Sequence, residues 1–202
     1  MNTHLTYLLV DASCLLVPFV CSFHPAIRFH REWKFVALPA LFTATFFLIW
    51  DAIFTAHGVW GFNPNYVLGI YVYNLPLEEV LFFFCIPYAC VFTYFCMRQL
   101  VPSLLNRNFS VASVLIGLAL IVAAVVNYER AYTFSALGLC GLLILVVWIS
   151  MRELLALFFV SYLLVMPFFL LSNGILTGTF LESPVVWFDN TESWNQAADY
   201  SC

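Results

Sequence analysis

Glu78 and Glu79 stand side by side in Tyr73-Asn74-Leu75-Pro76-Leu77-Glu78-Glu79-Val80-Leu81-Phe82-Phe83-Phe84, at the mouth of an apolar, phenylalanine-rich helix. Adjacent carboxyls in a low-dielectric site do not easily both ionise. The one that keeps its proton is a donor for general acid chemistry at neutral pH, and an ionised partner beside it stabilises positive charge. That division of labour suits a reaction passing through a carbocation. Asp51, near the end of the preceding apolar run, and Asp11, inside the first, are two further acids in apolar surroundings. An ionisable residue inside a membrane costs on the order of 2.5 kcal/mol or more when uncompensated, which makes each a candidate for function. We assign Glu78, Glu79 and Asp51 as candidate catalytic groups, with Asp11 in support. Each also has a plainer role. Asn74 suits a helix cap, Pro76 a first helical turn, and an acid there is favoured by the helix dipole. The interface would solvate Asp51, and a packing hydrogen bond would account for Asp11.

Trp50, Trp60, Phe62, Tyr66, Tyr71 and Tyr73 surround the acids in sequence. Aromatic faces attract cations. They also form the belts of membrane interfaces, and for any single ring the belt is the simpler reading.

These groups need a scaffold, and composition says which kind. The 202 residues are 64% hydrophobic and 9% charged, with a mean hydropathy of +0.97, which excludes an ordinary soluble domain. Apolar runs near bilayer length predict six membrane helices, at about 4–23, 34–55, 76–97, 110–126, 132–149 and 154–173. The first lacks a small-residue cleavage site and reads as a retained span. Arg28, Arg31, Lys34, Arg98, Arg107 and Arg152 all fall on one side of this arrangement, with Arg130 opposite. The positive-inside rule then places the N-terminus, the 56–75 loop and the acidic C-terminal tail outward, in a multi-pass protein of a bacterial cell membrane. Asp51, Glu78 and Glu79 occupy the same outer layer, with Asp11 about 10 Å below its helix end. The formal charge of −4 comes largely from the tail, and no basic surface points to nucleic acid.

Cysteine and histidine add little chemistry. Cys14, Cys21, Cys85, Cys90, Cys96 and Cys140 lie in or beside spans, where thiols pack as small hydrophobes, and no CxxC pair occurs. Cys202 ends the tail. His4, His24, His30 and His57 lack ligand spacing, so no metal site is expected.

No low-complexity linker divides the chain, which reads as one membrane domain over 1–202 with weak repeat halves at 1–105 and 106–202. Phe54-Thr55-Ala56-His57-Gly58-Val59-Trp60-Gly61-Phe62-Asn63-Pro64 is echoed by Asn173-Gly174-Ile175-Leu176-Thr177-Gly178-Thr179 and Val186-Trp187-Phe188-Asp189-Asn190. An even number of helices separates the two segments, so the repeat is parallel and both emerge on one face.

The run FFLIWDAIFTAHGVWGFNPNYVLGIYVYNLPLEEVLFFFCIPYA, residues 46–89, resembles the signature of the flavin-independent, integral membrane lycopene cyclases. MPFFLLSNGILTGTFLESPVVWFDN, residues 166–190, is similar to the second-repeat segment of single-chain members. The resemblance implies non-redox cyclisation of the acyclic ends of lycopene, or a related linear carotenoid, to β-type rings, without a cofactor. It places the family's Pro-x-Glu-Glu motif on Pro76, Glu78 and Glu79. We expect Trp50, Trp60, Asn63, Pro76, Phe82, Phe83, Asn173 and Trp187 to line the substrate. No GxGxxG strand-turn-helix is present to hold a flavin or nicotinamide.

The family pattern also implies a seventh helix and a second Pro-x-acidic motif. Thr191 to Cys202 carry neither, and Asp199 lacks the proline context, which points to truncation, a frameshifted end or a division between two chains, the last with a second subunit or a homo-oligomer supplying the helix. The partners are then a carotenoid, membrane lipid and that subunit. Two rival classes are a proton-coupled transporter and a non-catalytic subunit of a carotenoid-making complex. The acids share one layer and form no relay across the membrane, which argues against the transporter. A prenyl transferase would carry aspartate-rich magnesium motifs, which are absent.

Overall fold

The computed structural model describes residues 3–103 and 110–189. Arg107, Asp199, Cys202 and the rest of the tail from Thr191 lie outside them. The described residues form six α-helices: α1 Thr6–Cys21, α2 Trp33–Ala56, α3 Leu77–Leu100, α4 Ser110–Val126, α5 Ala131–Met151 and α6 Leu155–Leu176. Each coincides with an apolar run of the sequence to within about three residues, because hydropathy alone sets where a chain must satisfy its backbone internally. Phe29–Ala56, Leu77–Leu100 and Ala131–Leu176 are long and apolar enough to cross a membrane, the last comprising α5, a 3₁₀ turn and α6. Phe42 and Leu38 on α2 are 76% and 74% exposed, surfaces that water would not tolerate and lipid does. The fold is an all-α membrane helix bundle.

The described residues group into two compact units, one within Met1–Cys96 and Ser161–Phe188, the other within Met97–Val160. In the first unit α1, α2 and α3 alternate in direction, so one end gathers the start of α1, the end of α2 and the start of α3. The end of α6 joins them there: Leu176 packs in a core with Tyr7, Val10, Tyr66, Val67 and Val185, and Cys14 meets Ser172 at 3.1 Å. At the opposite end the Tyr88 hydroxyl bonds Ser22 Oγ (2.6 Å) and accepts from Trp33 Nε1 (3.1 Å), tying α1, α2 and α3 together again.

Four short strands decorate the first end: β1 Trp60–Phe62, β2 Tyr71–Val72, β3 Leu75–Pro76 and β4 Val186–Phe188. Gly58, at φ +73°, lets α2 stop and the chain reverse, with Gly58 N donating to Thr55 O and Val59 N to Phe54 O. β1 then pairs antiparallel with β4, Trp60 opposite Phe188 and Phe62 opposite Val186. The two echoed segments are therefore bound to each other. β2 and β3 form a hairpin that leads directly into α3. Asn74 does not cap α3: its Nδ2 donates to Ala52 O at 2.8 Å, pinning the hairpin to the end of α2. Pro76 closes β3 one residue before α3, whose first free donor, Leu77 N, bonds Ile70 O.

In the second unit α4 and α5 pack through small residues. A Cβ at Gly141 would lie 2.7 Å from Gly117 O and 2.8 Å from Ile121 Cγ1, so the two backbones approach as closely as glycine allows.

Candidate active site

Three helices each bring acid to one end of the first unit. Asp11 enters from the second turn of α1, Asp51 from the last turns of α2, and Glu78 and Glu79 from the first turn of α3. All four are buried, Glu78 completely and Glu79 to 9% exposure. They form one cluster: Glu78 acts electrostatically on Asp11, and Asp51 and Asp11 act on Glu79. Asp51 and Glu79 are thus close enough across the site to influence each other.

Their other partners differ. Glu78 Oε1 accepts the Leu68 amide at 2.6 Å. Glu79 Oε2 accepts the Tyr7 hydroxyl at 2.5 Å, and Asp51 Oδ1 accepts Trp60 Nε1 at 2.6 Å. Both oxygens of Asp11, Glu78 Oε2 and Asp51 Oδ2 are buried with no donor among the described residues. Buried carboxyl oxygens without donors are costly, and the site leaves them open to a group that brings one. A row of rings runs alongside. Phe83 stacks on Phe47 (6.5 Å between centroids), Phe47 on Trp50 (5.4 Å), and Phe54 on Trp60 (5.4 Å), with Trp50 and Phe54 6.0 Å apart and Phe188 meeting Trp60 at 6.4 Å. Dry acid beside π faces can protonate an alkene and hold the resulting cation.

The lycopene cyclase family model matches residues 4–97 and 129–196, most of the chain. The chain belongs to the lycopene cyclase family. It is also 26% identical over 95 residues to a bifunctional lycopene cyclase/phytoene synthase of Aspergillus oryzae, covering 46% of this chain and 16% of that protein. The chain thus matches only a small part of the curated relative's length. No solved structure matches. Family membership makes this an enzyme family of carotenoid biosynthesis, embedded in the membrane.

Against that background the sequence-assigned residues of this lycopene cyclase family member separate into groups. Glu78, Glu79, Asp51 and Asp11 come together, with Trp50, Trp60 and Phe83 in the adjoining ring row. Phe82 packs against the core around Tyr7 and meets Phe83 edge-on. Pro76 is fully buried beneath the start of α3. Asn63 serves the loop: its Oδ1 accepts Asn65 N, and its Nδ2 donates to Ser183 Oγ and Pro184 O. Trp187 lies over Gly61, where a Cβ would come within 2.6 Å of its ring. Asn173 is exposed near the end of α6, its carbonyl accepting from Thr177 N and Oγ1. Sequence reasoning overlooked Tyr7 and the Leu68 amide, which hold the two glutamates. The spacing of Tyr7 and Asp11, four apart on one helix face, was the available signal.

Proposed function

We propose that this chain cyclises the acyclic ends of lycopene or a related linear carotenoid to β-type rings, with no net redox change. The observation that carries the reading is the convergence of four buried carboxyls from α1, α2 and α3 beside a row of aromatic rings. A carboxyl of the Glu78–Glu79 pair donates its proton to the terminal carbon–carbon double bond, leaving a tertiary cation. The next-but-one double bond attacks that cation, forming the carbon–carbon bond that closes a six-membered ring. The new cation loses a neighbouring proton to an ionised carboxyl, with Asp51 placed to receive it, and a ring double bond results. One proton enters and one leaves, so the product is an isomer of the substrate. Trp50, Trp60, Phe82, Phe83 and Trp187 supply the cation-stabilising faces and keep water away. The substrate arrives through lipid, and the acid end of the bundle faces outward.

Expression in a lycopene-accumulating bacterial host, with pigment analysis, tests this. Ring formation by the chain, lost in Glu78→Gln or Glu79→Gln, is the expected result. Rings formed by both variants would remove the pair from the chemistry. Lycopene left unchanged by the unaltered chain would defeat the catalytic reading in favour of a non-catalytic subunit, and proton uptake coupled to solute movement in vesicles would defeat it in favour of a carrier.

A further inference from the structure

The two glutamates sit next to each other in sequence yet are held in chemically different ways. Glu78 Oε1 accepts from a peptide N–H, which keeps its hydrogen throughout any turnover. Glu79 Oε2 accepts from a phenol, and its neighbour across the site is the Asp51 carboxyl. Hydroxyl and carboxyl groups both exchange protons, so Glu79 is the member of the pair wired to proton traffic.

The phenol comes from the first turn of α1. Tyr7 is 1% exposed and is wedged among Val10, Tyr66, Val67, Leu176 and Val185, segments drawn from three separate regions of the chain. Tight packing of that kind leaves the ring few orientations, so the hydroxyl position is fixed by the core rather than by the acid it touches. The hydroxyl donates to one oxygen of the carboxyl, Oε2, and so distinguishes it from the other.

We propose that Tyr7 is a positioning residue for Glu79: its hydroxyl occupies Oε2 and so leaves Oε1 as the oxygen that carries the reacting proton. The inference rests on the cyclase reading for its kinetic consequence, while the contact itself can be tested apart from it. With Oε2 held, rotation of the carboxyl is restrained and Oε1 is the oxygen left to the site. Without the hydroxyl, Glu79 becomes free to present either oxygen, and the fraction of productive orientations drops although the substrate still binds.

The test uses the full chain in lipid nanodiscs, with Tyr7→Phe, which keeps the ring and removes only the donor. Lycopene turnover should fall about 10- to 100-fold in kcat with KM unchanged, at or below the low end of what positioned proton transfer itself contributes. Infrared bands of the Glu79 carboxyl, identified by their loss in Glu79→Gln, should shift in Tyr7→Phe. A double-mutant cycle should show that Tyr7→Phe costs little further once Glu79 is Gln. Wild-type kcat in Tyr7→Phe, a rise in KM alone, an unmoved Glu79 band, or an equal loss in the Glu79→Gln background would each overturn the proposal. If the unaltered chain turns over no lycopene, the cyclase reading fails, and the infrared comparison still decides whether Tyr7 holds Glu79.

Discussion

Trp60 serves Asp51 in two separable ways, and the separation is testable. Its ring stacks on Phe54 at 5.4 Å, and its indole N–H donates to Asp51 Oδ1 at 2.6 Å. Trp60→Phe keeps an aromatic face and removes the donor. Hydrogen bonds to charged groups contribute about 1.5–3 kcal/mol, so turnover should fall about tenfold or more in an initial-rate assay, and an unchanged rate would show that Asp51 needs no orienting. Asp11 poses the opposite case, a buried carboxyl with no donor among the described residues. Asp11→Asn nearly keeps the volume and removes an ionisable group beside Glu78. A group kept for function at the expense of stability should show it: the unfolding midpoint should hold or rise while ring formation falls. A midpoint lower by several degrees, with activity retained, would make Asp11 a packing group. The acids were legible in the sequence because charge in an apolar run has few explanations. Tyr7 was not, since a tyrosine at the start of a membrane helix reads as an interface anchor, and its contact with Glu79 spans 72 positions.

Elements were legible to different degrees for a physical reason. The helices follow from hydropathy, a local property, so their limits could be read within a few residues. The strands are two or three residues long, and β1 and β4 exist through pairing between distant segments, which no local pattern announces. The echo of Val59-Trp60-Gly61-Phe62 in Val186-Trp187-Phe188 pointed to kinship between the segments, and the structure adds that they hydrogen-bond to each other. Close approach inside the helical hairpin of α4 and α5 is a second non-local feature, and glycine marks it. At Gly141 a methyl would meet backbone carbonyl and Ile121, whereas at Gly138 the nearest atom, Ala124 Cβ, lies 3.8 Å away. Gly141→Ala should therefore destabilise the hairpin by about 1–3 kcal/mol, the usual cost of overpacking, while Gly138→Ala should be tolerated. Thermal unfolding of the two variants in the same detergent decides this, and equal midpoints would mean that the helices can separate without cost.

For the whole molecule the open matter is which compartment the acid end faces, because that compartment exchanges protons with the site. Arg28, Arg31 and Lys34 follow α1, and Arg98 ends α3, while the 56–75 loop between α2 and α3 carries no Lys or Arg. If basic loops are retained on the cytoplasmic side, we propose that the 56–75 loop lies outside. The alternating directions of α1, α2 and α3 bind the acids to that same end, since Asp51, Glu78 and Glu79 flank the loop in sequence. Tyr73, 86% exposed at the tip of the β2–β3 hairpin, reports on one face, and Arg31, exposed in the turn before α2, on the other. With the native cysteines replaced by serine, Tyr73→Cys should react with a membrane-impermeant maleimide added outside intact cells, and Arg31→Cys only after the cells are opened. The reverse pattern would turn the acid end toward the cytoplasm. The carboxyls would then draw their protons from the buffered cell interior, and ring formation in cells should no longer respond to external pH.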